Sequence, residues 1–184
     1  MAHNVLFTGH MIDKPDRKSA RFPAAKELAA QKEIEKRLSI ISKNFSNQVR
    51  GVGSGACGGD IIFHEVCQKF KIPADVYLAM SAQDFKKESV SFAGANWEKR
   101  FDKLVAQLPV HVLPATWGLE KSNNVWARTN LWMLDIALKD GGKNMILIAL
   151  WDGKGGDGDG GTEQMVNVAK KEKATIEIID IGIL

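Results

Sequence analysis

Gly53, Ser54, Gly55, Gly58, Gly59 and Asp60 fall within one short run, residues 51–60, between an apolar stretch and a helically spaced one. Glycines in that position let a backbone approach an anion and turn N–H groups toward it. The helix start that follows adds partial positive charge. Gly53, Gly55 and Gly58 have G-x-G-x-x-G spacing, and no Lys-Ser/Thr follows, so the run is not a Walker A loop. A tight strand–helix turn with Asp60 as N-cap is the plain structural alternative. Asp60 and Glu65 are also candidates to hold a ribose hydroxyl or to act as acid and base.

A second run, Trp151 to Glu163, carries six glycines and three aspartates before helical spacing resumes at Thr162. Alternating Asp and Gly suggest calcium, but no Glu stands at the twelfth position and the flanks read as strand and helix, so EF-hand geometry is excluded. A cradle for a ribose, base or phosphate fits better, built from Asp152, Gly160, Gly161, Thr162 and Glu163 at a helix start. Three aspartates repel a phosphate unless Mg2+ intervenes, which makes Asp157 and Asp159 the candidate metal contacts and leaves no metal otherwise required. The anion is then expected on the 53–59 run.

The third candidate region follows the first apolar run and contains Thr8, Gly9 and His10, then Arg21 and Phe22. His10 has the right intrinsic pKa for acid/base work near neutrality, with hydrogen bonding or packing as its plain alternative. Arg21 suits an anion, and Phe22 a stacked base. His64 and His111 read as packing and core residues. Trp126 and Trp132, with Asn123, Asn124, Arg128 and Asn130, decorate one helix; Trp126 lies off its apolar stripe and could cover a ligand or a partner, although packing is the simpler reading. No Cys/His set has zinc spacing and no G-x-S-x-G elbow is present.

These groups need elements to position them. Apolar runs predict strands at His3–Thr8, Val49–Gly53, Asp75–Ala79, Val110–Leu113, Met145–Leu150 and Thr175–Asp180. Helical spacing predicts helices from Pro23 to about Ser42, Asp60 to Phe70, Asn96 to Leu108, Asn123 to Lys139 and Thr162 to Lys171. Residues 80–94 read as a long polar connection. Regular alternation of strand and helix implies an α/β fold: a three-layer, Rossmann-like, doubly wound, mostly parallel sheet of about six strands in a single domain. In such sheets ligands sit beyond the carboxyl ends of the strands.

Composition bounds the function further. The chain has 184 residues, 45% hydrophobic and 26% charged, with net charge +3. That charge is too small to argue for nucleic acid. Two cysteines do not make a disulfide framework. The N-terminus reads directly into a strand, so no membrane segment and a cytoplasmic setting are expected.

The segments FTGH at 7–10, GSGACGGD at 53–60 and GGDGDGGTE at 155–163 together resemble the SLOG superfamily. This is the Rossmann-like group of DprA/Smf and LOG (lysine decarboxylase-like, cytokinin-activating) proteins. The similarity is greatest to SLOG-like domains found beside tetratricopeptide or signalling modules, and it spans nearly the whole chain. It implies a nucleotide or nucleotide-derived small molecule held at the glycine loops, and a homo-oligomer. LOG enzymes cleave a nucleotide N-glycosidic bond with an Arg and a Glu, and nucleoside deoxyribosyltransferases use a glutamate nucleophile on a related fold. Here Met165 stands three residues after Thr162, and Glu163 follows the threonine directly. The expectation is therefore binding or sensing of a nucleotide-type ligand. The alternative is a LOG- or deoxyribosyltransferase-like enzyme, with Glu163, Asp60 or Glu65 as nucleophile or base and Arg21 or Arg100 as phosphate clamp.

Overall fold

The computed structural model describes residues 3–154 and 161–184. Six strands form one sheet, all parallel: β1 (His3–Gly9), β2 (Val49–Gly53), β3 (Ala74–Leu78), β4 (Val110–Val112), β5 (Met145–Trp151) and β6 (Thr175–Asp180). Their order is β4-β3-β2-β1-β5-β6. The central strand is buried on both faces, which is why it reads as an unbroken apolar run rather than an alternating one. Alternation still sorts its side chains. Val5 and Phe7 join one core cluster and Leu6 the other.

Six α-helices cover the sheet: α1 (Glu27–Asn44), α2 (Gly59–Lys69), α3 (Ala82–Ser89), α4 (Ala95–Gln107), α5 (Val125–Ala137) and α6 (Thr162–Lys171). Apolar residues of α1, α2, α3 and α4, with Val125 and Trp126 at the start of α5, pack with Val5 and Phe7, and later apolar residues of α5 and those of α6 with Leu6. The three-layer doubly wound architecture is therefore as expected, and α6 and β6 keep their expected bounds.

The departure lies at 80–94. The segment is not a loop: it contains α3 and a 3-10 turn at Ser91–Ala93. Ser81 caps α3 by accepting the Asp84 N–H at 3.2 Å, and the Ser81 hydroxyl donates to Asp84 Oδ2 at 2.7 Å. Such a cap offsets orphan N–H groups at a helix start. Phe85 and Ser89, four residues apart, form the buried face. One apolar anchor among polar residues is too weak a period to be seen in sequence.

The chain order also creates a switch point. After β1 the chain builds outward through β2, β3 and β4, then returns to place β5 on the other side of β1. Loops leaving the carboxyl ends of β1 and β5 therefore diverge and leave a crevice between them.

Candidate functional site

A cleft of about 680 Å³ opens at this switch point. Its floor is Phe7, Thr8 and Gly9 from β1, with Ser54, Ala56 and Asp60 from the β2–α2 connection. The segment after β1 lends His10, Lys14, Arg17 and Arg21. The α3 region supplies Phe85, Glu88, Ser89 and Phe92, and α5 with its cap supplies Asn124, Trp126 and Asn130. Trp151, Gly161 and Thr162 complete it from β5 and α6. Another hollow, of about 670 Å³, lies at the amino ends of β2 and β3. Its charged residues Arg50 and Asp75 already pair with each other, and Asp75 also bonds His111 at 2.9 Å. The switch-point cleft is the better ligand site because it lies beyond the carboxyl ends of β1 and β5 and combines cationic, acidic, amide and aromatic side chains in one lining.

Strand ends fix the first group of site residues. His10 N–H donates to the Leu150 carbonyl at 3.1 Å, extending the β1–β5 pairing by one residue. Its ring then meets the first residue after β5, with Nε2 3.2 Å from Asp152 Oδ1. Burial holds the His10 pKa below its ordinary value, and the Asp152 contact opposes that shift without cancelling it. Burial alone would raise Asp152, but the Lys154 amide, His10 and Arg21 together bring it below the usual carboxylate value. The imidazole is thus neutral at pH 7, and Asp152 is ionised. Below the pair, the hydroxyls of Thr8 and Thr162 lie 3.3 Å apart. They tie the start of α6 to β1.

Asp13 shapes the segment that follows. Its carboxylate accepts the Arg21 N–H at 2.9 Å and lies 3.4 Å from Arg17 Nε, while its own N–H donates to the Phe22 carbonyl. The segment folds back on itself and brings Lys14, Arg17 and Arg21 to one wall. Phe22 is fully buried, so it anchors this loop and is not the expected stacking surface for a base. Aromatic rings come instead from Trp126, Phe85 and Phe92. The ring of Trp126 meets that of Phe85 edge-on at 5.7 Å, and Lys14 Nζ lies 5.2 Å from the Phe92 ring centre. Asn124 caps α5 by accepting the Trp126 and Ala127 N–H groups, which fixes Trp126 at the cleft edge.

The glycine run 53–59 does something other than expected. Three of its amides are engaged inside the protein: Ala56 N–H to Asp60 Oδ2, Cys57 N–H to Ser89 O, and Gly59 N–H to His10 O, at 3.0–3.2 Å. Met11 and Gly58 form an antiparallel bridge, and Ile12 N–H donates to Cys57 O. At Gly58 φ is +107°, and an added Cβ would lie 2.7 Å from Ile12 N. Gly53 and Gly55 sit against His64 and Phe101. Of the run, only Ser54, Ala56 and Asp60 reach the cleft. The glycines let two loops pack closely against each other.

Two buried titratable groups hold that run. His64 is fully buried and donates from Nε2 to the Ser54 carbonyl at 3.0 Å; burial pushes its pKa down to about 4. It packs, as expected. Asp60 is in the first turn of α2 rather than at its cap, and only 8% exposed. Burial pushes its pKa up to about 7 against the opposing Ala56 hydrogen bond. A carboxyl that shares its proton near neutrality and lines a cleft is equipped for proton transfer. Burial also pushes the Cys57 thiol up to about 12, which makes it inert as a nucleophile.

The remaining candidates lie elsewhere. Glu65 and Arg100 pair with each other through two hydrogen bonds of 2.7–2.8 Å, and Arg100 also bonds Glu27 while lying 3.8 Å from the Trp97 ring centre. That network joins α1, α2 and α4 away from the cleft lining. Glu163 is exposed on the first turn of α6 and does not line the cleft. His111 is not core; its side chain is 42% exposed and stacks on Tyr77, because β4 is an edge strand. Asp157, Asp159 and Gly160 lie outside the described residues. Among the described residues no group of three or more His, Cys, Asp or Glu could hold a metal ion, and no helix is long and apolar enough to cross a membrane. Lys14, Arg17, Phe85, Glu88 and Phe92 were not singled out by sequence; the Ser81-x-x-Asp84 cap signal was the one available pointer to α3.

Comparison of the chain with protein-family models, curated proteins and solved structures finds no significant match.

Proposed function

We propose that this chain binds a nucleotide or nucleotide-derived ligand in the switch-point cleft, as a sensing or binding module. One observation carries the reading. A single crevice at the carboxyl ends of β1 and β5 combines cationic side chains for a phosphate (Lys14, Arg17, Arg21) with aromatic and amide side chains for a base (Trp126, Phe92, Asn124, Asn130). The phosphate is placed at the segment after β1, because Lys14, Arg17 and Arg21 line the cleft there, whereas of the run 53–59 only Ser54 and Ala56 do. The SLOG resemblance of the 7–10, 53–60 and 155–163 segments supports the same class of ligand.

The alternative, cleavage or transfer at a nucleotide N-glycosidic bond, now rests on Asp60, since Glu65 and Glu163 stand outside the cleft lining. One experiment reads both. Purified protein is titrated with nucleoside mono- and diphosphates and nicotinamide dinucleotide by calorimetry and thermal shift, and the mixtures are then chromatographed. Saturable binding that raises Tm without free base supports a binding module. Free base supports the alternative. Neither binding nor base rejects both. Gel filtration of the same sample tests the expected homo-oligomer.

A further inference from the structure

We propose that the cleft hydrolyses a phosphodiester of its nucleotide ligand, with His10 as general base, Asp152 as the residue that positions it, and Asp60 as general acid. The inference rests on the nucleotide-binding reading above and goes beyond it.

The geometry supplies each role. Asp152 Oδ1 takes the proton-bearing Nε2 of His10 at 3.2 Å, so the lone pair is on Nδ1 of a residue that lines the cleft. Base and positioning group come from the two loops that flank the switch point, so neither can shift without disturbing β1–β5 pairing. The acid comes from a third element. Gly59, next to Asp60, donates its N–H to the His10 carbonyl at 3.2 Å, which couples the start of α2 to the loop carrying the base. Both side chains line the same cleft.

Charge placement decides which bond is attacked. Arg17 and Arg21 line the cleft near enough to His10 to act on it electrostatically. A phosphate held there lies beside the base, whereas the sugar and base extend toward Trp126 and the asparagines. His10 therefore works at phosphorus rather than at the sugar carbon. Both groups are also in the required states at neutral pH: His10 neutral, Asp60 still carrying a proton. The charged and titratable groups around them are Asp152, Arg17 and Arg21 at His10, Cys57 at Asp60, and Asp13, Lys14 and Glu88 elsewhere on the wall.

In the step, water oxygen bonds to phosphorus and gives its proton to His10 Nδ1. The bond from phosphorus to the leaving alkoxide breaks, and Asp60 protonates that oxygen. Products are a phosphomonoester and an alcohol. Proton return from imidazolium to the Asp60 carboxylate through solvent restores the site.

The test uses the full chain with two substrates: thymidylyl-thymidine, whose alkoxide leaving group needs a proton, and bis(p-nitrophenyl) phosphate, whose phenolate does not. Wild type is expected to release products from both, with kcat bell-shaped in pH on the dinucleotide and lacking the basic limb on the nitrophenyl ester. H10N should lose roughly 10²–10⁴-fold on both substrates. D152N should lose less and displace the acidic limb of the profile to lower pH, because the Asp152 charge no longer raises the His10 pKa. D60N should lose at least about tenfold on the dinucleotide and little on the nitrophenyl ester, a contrast that a merely structural role would not give. If D60N does not fold by thermal melt, H10N and D152N decide. Calorimetric binding of thymidylyl-thymidine without turnover would overturn this inference and leave the binding reading intact. Turnover undiminished in H10N would overturn it too, and no nucleotide binding at all would overturn both.

Discussion

Two loops meet over the carboxyl end of the sheet, and they divide structure and chemistry between them. The run 53–59 is dense in glycine, tightly packed and closed on itself: its amides bond Asp60, Ser89 and His10. The segment 10–22 has no glycine, yet it carries His10, Lys14, Arg17 and Arg21 to the cleft. Glycine density marks where backbones approach each other, and that partner can be another loop as readily as a phosphate. Recognition chemistry sits in the loop that glycine supports.

The largest test of this contrast is G58A. A positive φ and a Cβ 2.7 Å from the Ile12 backbone should cost about 4 kcal/mol or more. Urea unfolding would read the loss. A cost below about 1 kcal/mol would mean that the two loops are not locked together.

Next come the two buried titratable groups behind the glycine run. His64 has a folded pKa depressed to about 4. It therefore removes stability as pH falls from its unfolded value of about 6.5 toward 4. Asp60 has a folded pKa raised to about 7. It holds its proton longer in the folded state, so its contribution is lost as pH rises from about 4 to about 7. Between those limits the two slopes oppose each other and the wild type should be nearly flat. D60N should unmask stability that rises with pH, H64Q stability that falls, each on the order of 3 kcal/mol across the window. Denaturation at pH 4.5, 5.5 and 6.5 checks the signs, and parallel profiles for both variants would refute the assignment.

The cationic wall should behave in the opposite way. K14A/R17A is expected to change unfolding free energy by less than about 1 kcal/mol, because both heads lie near the surface. It should weaken nucleotide binding about tenfold or more, equivalent to about 1.4 kcal/mol. Smallest is S81A, which removes the cap of α3 and should cost about 1 kcal/mol, read by thermal melting. Its effect on binding should follow from loosening Phe85 and Phe92 rather than from any lost ligand contact.

Much of the fold was legible because periodicity is a packing signal. Each strand of the parallel sheet is a short apolar run between turn residues, and α6 and β6 emerge with their expected ends. Helix α3 was not legible: Phe85 is the lone large apolar residue on its buried face, which leaves only propensity and one cap to mark it. The site was legible in part. Thr8, His10, Arg21, Ser54, Asp60 and Thr162 are brought together because Thr8 lies at the carboxyl end of β1 and the others follow the carboxyl ends of β1, β2 and β5. Glu65 could not be placed by sequence, since its partner Arg100 lies 35 positions away on another helix. Phe22 looked available for stacking, and only the fold-back around Asp13 buries it.

The most direct test is a calorimetric titration of ADP into wild type and K14A/R17A at two salt concentrations. The account predicts saturable one-to-one binding that weakens with salt in the wild type and falls at least about tenfold in the variant, with Tm unchanged. Equal affinity for both proteins would place the phosphate elsewhere and contradict the division between the two loops.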